Sequence, residues 1–336
     1  MPSIVITFDP GAEGRRLAEA RLGDVADVVF LDALAGADRA RALDAATVVF
    51  ARNTAKELTD DEYAHLGHLD LIQFVTAGID YVPTERLPRA VPVAVNGGGY
   101  AEPMAEHALA MTLAACKHLV PEHANLARGE FNQFTPTRML RGMTAGILGF
   151  GGIGVATARV LRPLGVRVHA VNRRGASDEP VDWIAGLDRL DELLAASDVL
   201  VLSLPLTTRS AGMIGARELG LMKRDAILVN LARGEIVDEV ALYRHLEANP
   251  EFIACIDAWW IEPVRHDVFR MDQPFMGLPN VIGSPHNSAS VGGWREVALE
   301  RALANCRRAL VGQPPLHVVS NEERDYVHRG RTNLSP

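Results

Sequence analysis

Cysteine is scarce. The 336 residues hold three, Cys116, Cys255 and Cys306. They lie far apart and lack metal-ligand spacing, which excludes a disulfide scaffold or a metal knot and predicts buried thiols in a reducing cytoplasm. Positive charge is in deficit: 34 Lys and Arg against 42 Asp and Glu give a formal net charge of −8. A nucleic-acid partner would need a basic face, so that class is set aside. One or two local arginines would still serve a small anion. No apolar run approaches the ~20 residues of a membrane span. The N-terminus MPSIVITFDP lacks the basic start and apolar core of a secretory signal. Low-complexity tracts and short repeats are missing too. What remains is an ordinary globular composition, 48% hydrophobic and 23% charged, long enough for two domains with cores.

Short Val- and Ile-rich runs alternate with helical patterns. SIVITFD, VADVVFLD, ATVVFAR, LIQFVTAG and VPVAVN read as buried strands, separated by helical stretches near residues 14–21, 37–45 and 60–66. Such alternation implies parallel βαβ units. After the cluster NGGGY at 96–100 comes a long apolar helix, with a break expected near Pro121. A second series follows: TAGILGF, VRVHAVN, DVLVLSLP, AILVNLA, FIACIDAW and NVIGSPH. Six strands with helices between them match a dinucleotide-binding domain. The amphipathic stretch 291–310 suits a helix returning to the first domain. The expected fold is α/β with two doubly wound parallel sheets. Residues 1–96 and 290–336 would form a discontinuous flavodoxin-like substrate domain. Residues 97–289 would form a Rossmann cofactor domain inserted into it.

Gly149, Gly151 and Gly154 form Gly-x-Gly-x-x-Gly between a strand and a helix. In that setting the first glycine permits the turn, the second lets a pyrophosphate approach, and the third lets helix and strand pack closely. The helix N-terminus at Gly152 and Ile153 offers free N–H groups to the anion, and Leu204 and Pro205 complete the expected cofactor contacts. An acidic residue about 20 positions on would bind the ribose hydroxyls of NAD. Here that place holds Asn172, followed by Arg173 and Arg174. Without a carboxylate to repel a 2′-phosphate, and with guanidinium groups to bind one, NADP(H) is expected over NAD(H), which stays the second choice.

The runs VNLARGEIVDEVAL, CIDAWWIEP and GSPHNSAS each begin at the end of an apolar strand, the edge where doubly wound folds bind ligands. They offer Arg233, Asp257, Glu262 and His286. Reducing a carbonyl needs a cation to hold an anionic substrate and an acid to supply a proton. Arg233 stays charged and bonds in a fork. An imidazole ordinarily titrates near neutrality, which suits His286 to the second task, and Glu262 could favour its charged form and fix its ring.

These motifs, with GILGFGGIG, SLPLTTRSAGMIG and LMKRDAILVNLARGEIVDEVAL in order, resemble the D-isomer-specific 2-hydroxy-acid dehydrogenase family along nearly the whole chain. The resemblance implies that Arg233, Glu262 and His286 are the catalytic set and that Asp257 meets the nicotinamide carboxamide. It implies that Ala77 and Gly78, in TAGID, present N–H groups to the substrate carboxylate. It also implies a homodimer built through the cofactor domain, with helix 104–119 as a candidate contact, and an active site in an interdomain cleft. Tyr100 stands where the family often has Asn. Trp259 and Trp260 are bulkier than usual, and core packing is expected of at least one. Arg52 matches a position that holds a second anionic group in some relatives. The expected activity is NADP(H)-dependent reduction of a small anionic 2-keto acid to a D-2-hydroxy acid, with His286 as proton donor and without a metal. The alternatives are a dinucleotide-sensing, corepressor-like binder without turnover, and oxidation of a small inorganic or one-carbon anion. Glu262 argues against formate, because relatives that oxidise it carry Gln there.

Overall fold

The computed structural model describes residues 1–326. The chain forms two compact units, one of Met1–Tyr100 with the segment from Val291 onward, the other Ala101–Ser290.

In the first unit β1 (Ser3–Ile6), β2 (Asp27–Phe30), β3 (Val48–Ala51), β4 (Leu71–Phe74) and β5 (Val93–Ala94) form a parallel sheet in the order β2-β1-β3-β4-β5. β3 and β4 are buried along their whole length, as runs with no polar alternation must be. Helix α1 (Gly11–Leu22) and the return helix Trp294–Leu310 cover one face, with Ala18, Leu22, Leu299 and Leu303 against Ile4, Ile6 and Phe50. Burying each such large aliphatic side chain contributes about 1.5–3 kcal/mol. The sheet cannot bury this face without the return helix, so the unit must be discontinuous in sequence. Asn305 of that helix donates to the fully buried Gln73 Oε1 at 2.6 Å.

Residues 97–100 were expected to open the cofactor domain. They belong instead to the first unit: Asn96 Nδ2 donates to Val75 O and Ala298 O, Tyr100 OH to Val75 O, and Trp294 Nε1 to Gly99 O. Helices α2 (Ala37–Asp44) and α3 (Thr54–Glu57) precede the stretch 60–66, which is a 3-10 turn, Asp61–Leu66, rather than an α-helix.

The second unit opens on α4 (Ala101–Cys116) and α5 (Leu119–Ala127). The break between them falls at His118, which is left-handed (φ 49°), not at Pro121. Proline is tolerated in the first turn of α5, where its missing N–H has no partner to lose. The strands are β6 (Thr144–Leu148), β7 (Arg167–Val171), β8 (Trp183–Ala185), β9 (Val199–Leu202), β10 (Ile227–Asn230), β11 (Ile253–Ile256) and β12 (Val281–Gly283). All pair in parallel, in the order β12-β11-β10-β9-β6-β7-β8. The sheet therefore has seven strands where six were expected. The extra one, β8, is a half-buried edge of three residues. Strand order reverses between β6 and β9 here, and between β1 and β3 in the first unit, which are the crevices where such sheets bind ligands.

Candidate active site

The turn after β6 has the shape an anion cradle requires. Gly149 has φ +96°, and a Cβ there would lie 2.7 Å from the backbone of Ser203 and Leu204, so only glycine fits. Ser203 Oγ donates to Gly149 O at 2.7 Å and ties the two crevice walls together. Gly154 opens no space: its Cβ would meet Gly149 O at 2.4 Å. Gly151 differs, since a Cβ there meets nothing within 4 Å. It caps α6 (Gly152–Leu161), whose first-turn N–H groups have no acceptor within the helix. The gap at Gly151 therefore faces open donors, and these residues fit a dinucleotide pyrophosphate. Leu204 is half-buried beside the turn and Pro205 is exposed. After β7, Asn172 closes its own turn: Oδ1 accepts from Arg174 N at 3.0 Å and Nδ2 donates to Ala176 O at 2.9 Å. Arg173 and Arg174 stand exposed beyond it.

Three further loops leave the same sheet edge. After β10, Asn230 is buried and shapes the Arg233 loop, accepting from Ala232 N at Oδ1 and donating to Arg233 O at 2.9 Å. After β11, Glu262 is 6% exposed. Its carboxylate accepts from Trp259 N at 2.6 Å and from His286 Nδ1 at 2.8 and 2.9 Å. Burial alone would raise the Glu262 pKa. The hydrogen bond and charge of His286, the Trp259 N–H and the Arg265 guanidinium outweigh it, so the carboxyl lies below its ordinary value. An ionised carboxylate only accepts, so Nδ1 of His286 carries a hydrogen and Nε2 is left to exchange a proton. The His286 side chain is 35% exposed.

Asp257 directly follows β11. It is fully buried, and its oxygens accept from Ser284 Oγ, Asn287 N (3.2 Å) and Ser288 N (3.4 Å). Its visible work is to hold the loop that carries His286. Of the two tryptophans, Trp259 is in the core, its Nε1 bonded to Ser284 O. Trp260 stacks on Phe275 at 5.2 Å and bonds to Val237 O.

Sequence reasoning missed four residues. His107 on α4 reaches Ser284 Oγ at 3.0 Å. Asn230 and Ser284 shape loops. Arg265 is buried between Glu235 and Glu262. Only the EPVRH spacing, which puts Arg265 one helical turn past Glu262, hinted at any of them.

In the first unit, Ala77 and Gly78 follow β4, and among the described residues their N–H groups carry no hydrogen bond. The Arg52 guanidinium lies 4.5 Å over the Phe8 ring, at the reversal between β1 and β3. Tyr100 is half-buried. Burial pushes its phenol up, while Arg52 and Arg295 partly offset this.

The family model for the D-isomer specific 2-hydroxyacid dehydrogenase NAD binding domain matches residues 109–288. The glyoxylate reductase of Thermococcus gammatolerans is 30% identical over 299 residues, covering 85% of this chain and 85% of that protein. The chain belongs to the D-isomer-specific 2-hydroxyacid dehydrogenase family. Its second unit holds that family's NAD-binding domain, and the chemistry that goes with it is NAD(P)-dependent oxidoreduction at a CH–OH carbon. The D-3-phosphoglycerate dehydrogenase of Archaeoglobus fulgidus is 32% identical over 225 residues, 66% of this chain, and the match spans 42% of that longer protein. Among solved structures, a putative formate dehydrogenase from Pyrobaculum aerophilum aligns with TM-score 0.78 and 29% identity, covering 96% of this chain and 99% of that one.

Proposed function

We propose that this protein reduces a small 2-keto acid to the D-2-hydroxy acid with NADPH. The observation that carries the reading is the buried Glu262 bonded to His286 Nδ1 at 2.8 Å. The carboxylate holds Nδ1 and fixes the ring, so Nε2 is the atom that can hand a proton to the oxygen as the carbonyl is reduced. A bound reduced nicotinamide would supply the hydride; the carbonyl carbon gains it, and the oxygen gains the histidine's proton. Arg233 binds the substrate carboxylate and polarises its ketone. Within the first unit, Ala77 and Gly78 offer N–H donors to a carboxylate, and Arg52 and Tyr100 are the side chains proposed to bind substrate.

The pyrophosphate is held by the α6 N-terminus at Gly151, Gly152, Ile153 and Gly154, with Gly149, Leu204 and Pro205 forming the wall. The exposed Arg173 and Arg174 pair with the 2′-phosphate beside Asn172. Asp257 keeps a lone pair for the carboxamide. The enzyme is proposed to act in the cytoplasm as a homodimer. Leu119, Leu126, Phe131, Phe134 and Met139 of the cofactor unit are more than half exposed, and they supply apolar surface for the contact.

Formate oxidation gives up a hydride and no proton, so a Glu–His couple would have no task in it. The deciding experiment is a panel of glyoxylate, hydroxypyruvate, pyruvate, phenylpyruvate and formate with NADPH and NADH, followed by His286→Ala on whatever reacts. Keto-acid reduction that collapses in His286→Ala supports the reading. Tight NADPH binding with no turnover across the panel would replace it with a dinucleotide-sensing role. A clear NADH preference would overturn the cofactor assignment.

A further inference from the structure

The loops bearing Arg233 and Glu262 are separate in sequence yet stitched together behind the site. Gly234 lies so close to the second loop that a Cβ there would sit 2.4 Å from Trp259 C and 2.5 Å from Trp260 N. Two residues after Arg233, Glu235 takes a paired bond from Arg265, 2.5 Å to Oε1 and 3.0 Å to Oε2. Arg265 also donates to Trp259 O at 3.1 Å, and its guanidinium lies 3.8 Å from Glu262 Oε2. The Arg265 side chain is 3% exposed and that of Glu235 18%. A charge this deeply buried is costly to place unless it is paired, and a forked pair fixes it in direction as well as distance.

We propose that Arg265, clamped by Glu235, is a positioning residue that keeps the Glu262 carboxylate aimed at His286. This rests on the reading of Glu262 and His286 as the proton-handling pair. Within hydrogen-bond or ion-pair reach of Glu262 lie His286, Arg265 and His266. His266 takes the Glu262 backbone N–H at Nδ1, 3.0 Å, and Glu235 sits behind Arg265. Removing the cation takes away one of the groups that lower the Glu262 pKa, so that carboxyl should titrate at higher pH.

The test compares wild type with Arg265→Gln, Arg265→Lys and the swapped pair Glu235→Arg with Arg265→Glu, all as the full chain. The readouts are the pH profile of kcat/KM, NADPH Kd, and the NMR titration of the His286 ring without cofactor. Arg265→Gln should move the acid limb, and the Glu262 inflection sensed by the ring, to higher pH. Keto-acid KM and NADPH Kd at pH 8 should stay within about twofold. Arg265→Lys should keep the wild-type limb. The swapped pair retains a buried ion pair, guarding against simple unfolding, but sets a carboxylate beside Glu262 and should move the limb further. An Arg265→Gln profile superimposable on wild type, or a swapped pair that restores the wild-type inflections, overturns the proposal. If wild type reduces no keto acid while the NMR inflections still move, the functional reading fails and the positioning role stands.

Discussion

Two glycines three residues apart should respond in opposite ways to the same added methyl. At Gly154 the new Cβ would meet Gly149 O at 2.4 Å and Ile147 Cγ2 at 3.0 Å. The first is roughly 1 Å inside ordinary contact, and the atom met is backbone of the turn itself. Helix α6 must move off the sheet, at about 1–3 kcal/mol for overpacking. For a unit of this size each kcal/mol lowers Tm by about 2–4 °C. Gly151 has φ −100° and open space on its Cβ side. Alanine there meets no atom; its gain of about 0.4–1 kcal/mol through the unfolded chain is offset by a similar loss of glycine's preference at an N-cap. If a pyrophosphate approaches through that gap, the methyl takes its place. A loss of about 1.4–2.8 kcal/mol weakens NADPH Kd about ten- to a hundredfold. Scanning fluorimetry and NADPH fluorescence titration read the two quantities separately. Gly154→Ala should unfold several degrees early, and Gly151→Ala should hold its Tm while losing cofactor. A Gly151→Ala protein that binds NADPH as wild type does would refute the placement of the anion.

Replacing Arg173 and Arg174 by alanine together should cut kcat/KM with NADPH about ten- to a hundredfold, the worth of one or two charge-assisted bonds, and leave the NADH value unchanged; equal losses with both cofactors would count against a 2′-phosphate contact. Arg324 is 4% exposed and donates to the carbonyls of Leu87, Pro88, Arg89 and Val91. Arg324→Ala should lower the unfolding free energy by about 2–4 kcal/mol in urea titration, and a change under about 0.5 kcal/mol would deny it that anchoring role. All three cysteines are buried, and burial pushes each thiol up. The folded protein should therefore resist a disulfide reagent at pH 8 and react at three thiols after denaturation; rapid labelling of the native state would contradict this.

Most of the fold was legible because its strands are runs of Val, Ile and Leu buried on both faces, a pattern one sequence can display. β8 escaped because an edge strand of three half-buried residues has no such run. The helix break was drawn to Pro121, although the decisive residue, His118, adopts a backbone angle that its side chain does not announce. The glycine turn could be read because Gly149 and Gly154 answer local demands of backbone angle and close packing. Arg265 could not: its partner Glu235 is 30 residues away, and only the packing of two loops through Gly234 brings them together.

The loop of His286 shows how such a placement is sustained. His286 has φ +50°, a left-handed backbone that costs a non-glycine residue roughly 1–2 kcal/mol. Two backbone N–H groups just past it, of Asn287 and Ser288, point at the buried Asp257 carboxylate, and Ser284 adds its hydroxyl from the other side. Charge-assisted bonds of that kind are each worth about 1.5–3 kcal/mol, enough to offset the strain. The turn in turn sets the ring with Nδ1 on Glu262, whose own carboxylate is kept ionised by His286, the Trp259 N–H and Arg265. Three buried charged side chains thus stand behind one half-exposed imidazole: Glu262 on its ring, Asp257 on its loop and Arg265 on Glu262. A chain that needed only a stable sheet edge here would gain more from apolar residues of the same volume, and that cost is the physical argument for proposing chemistry at this edge.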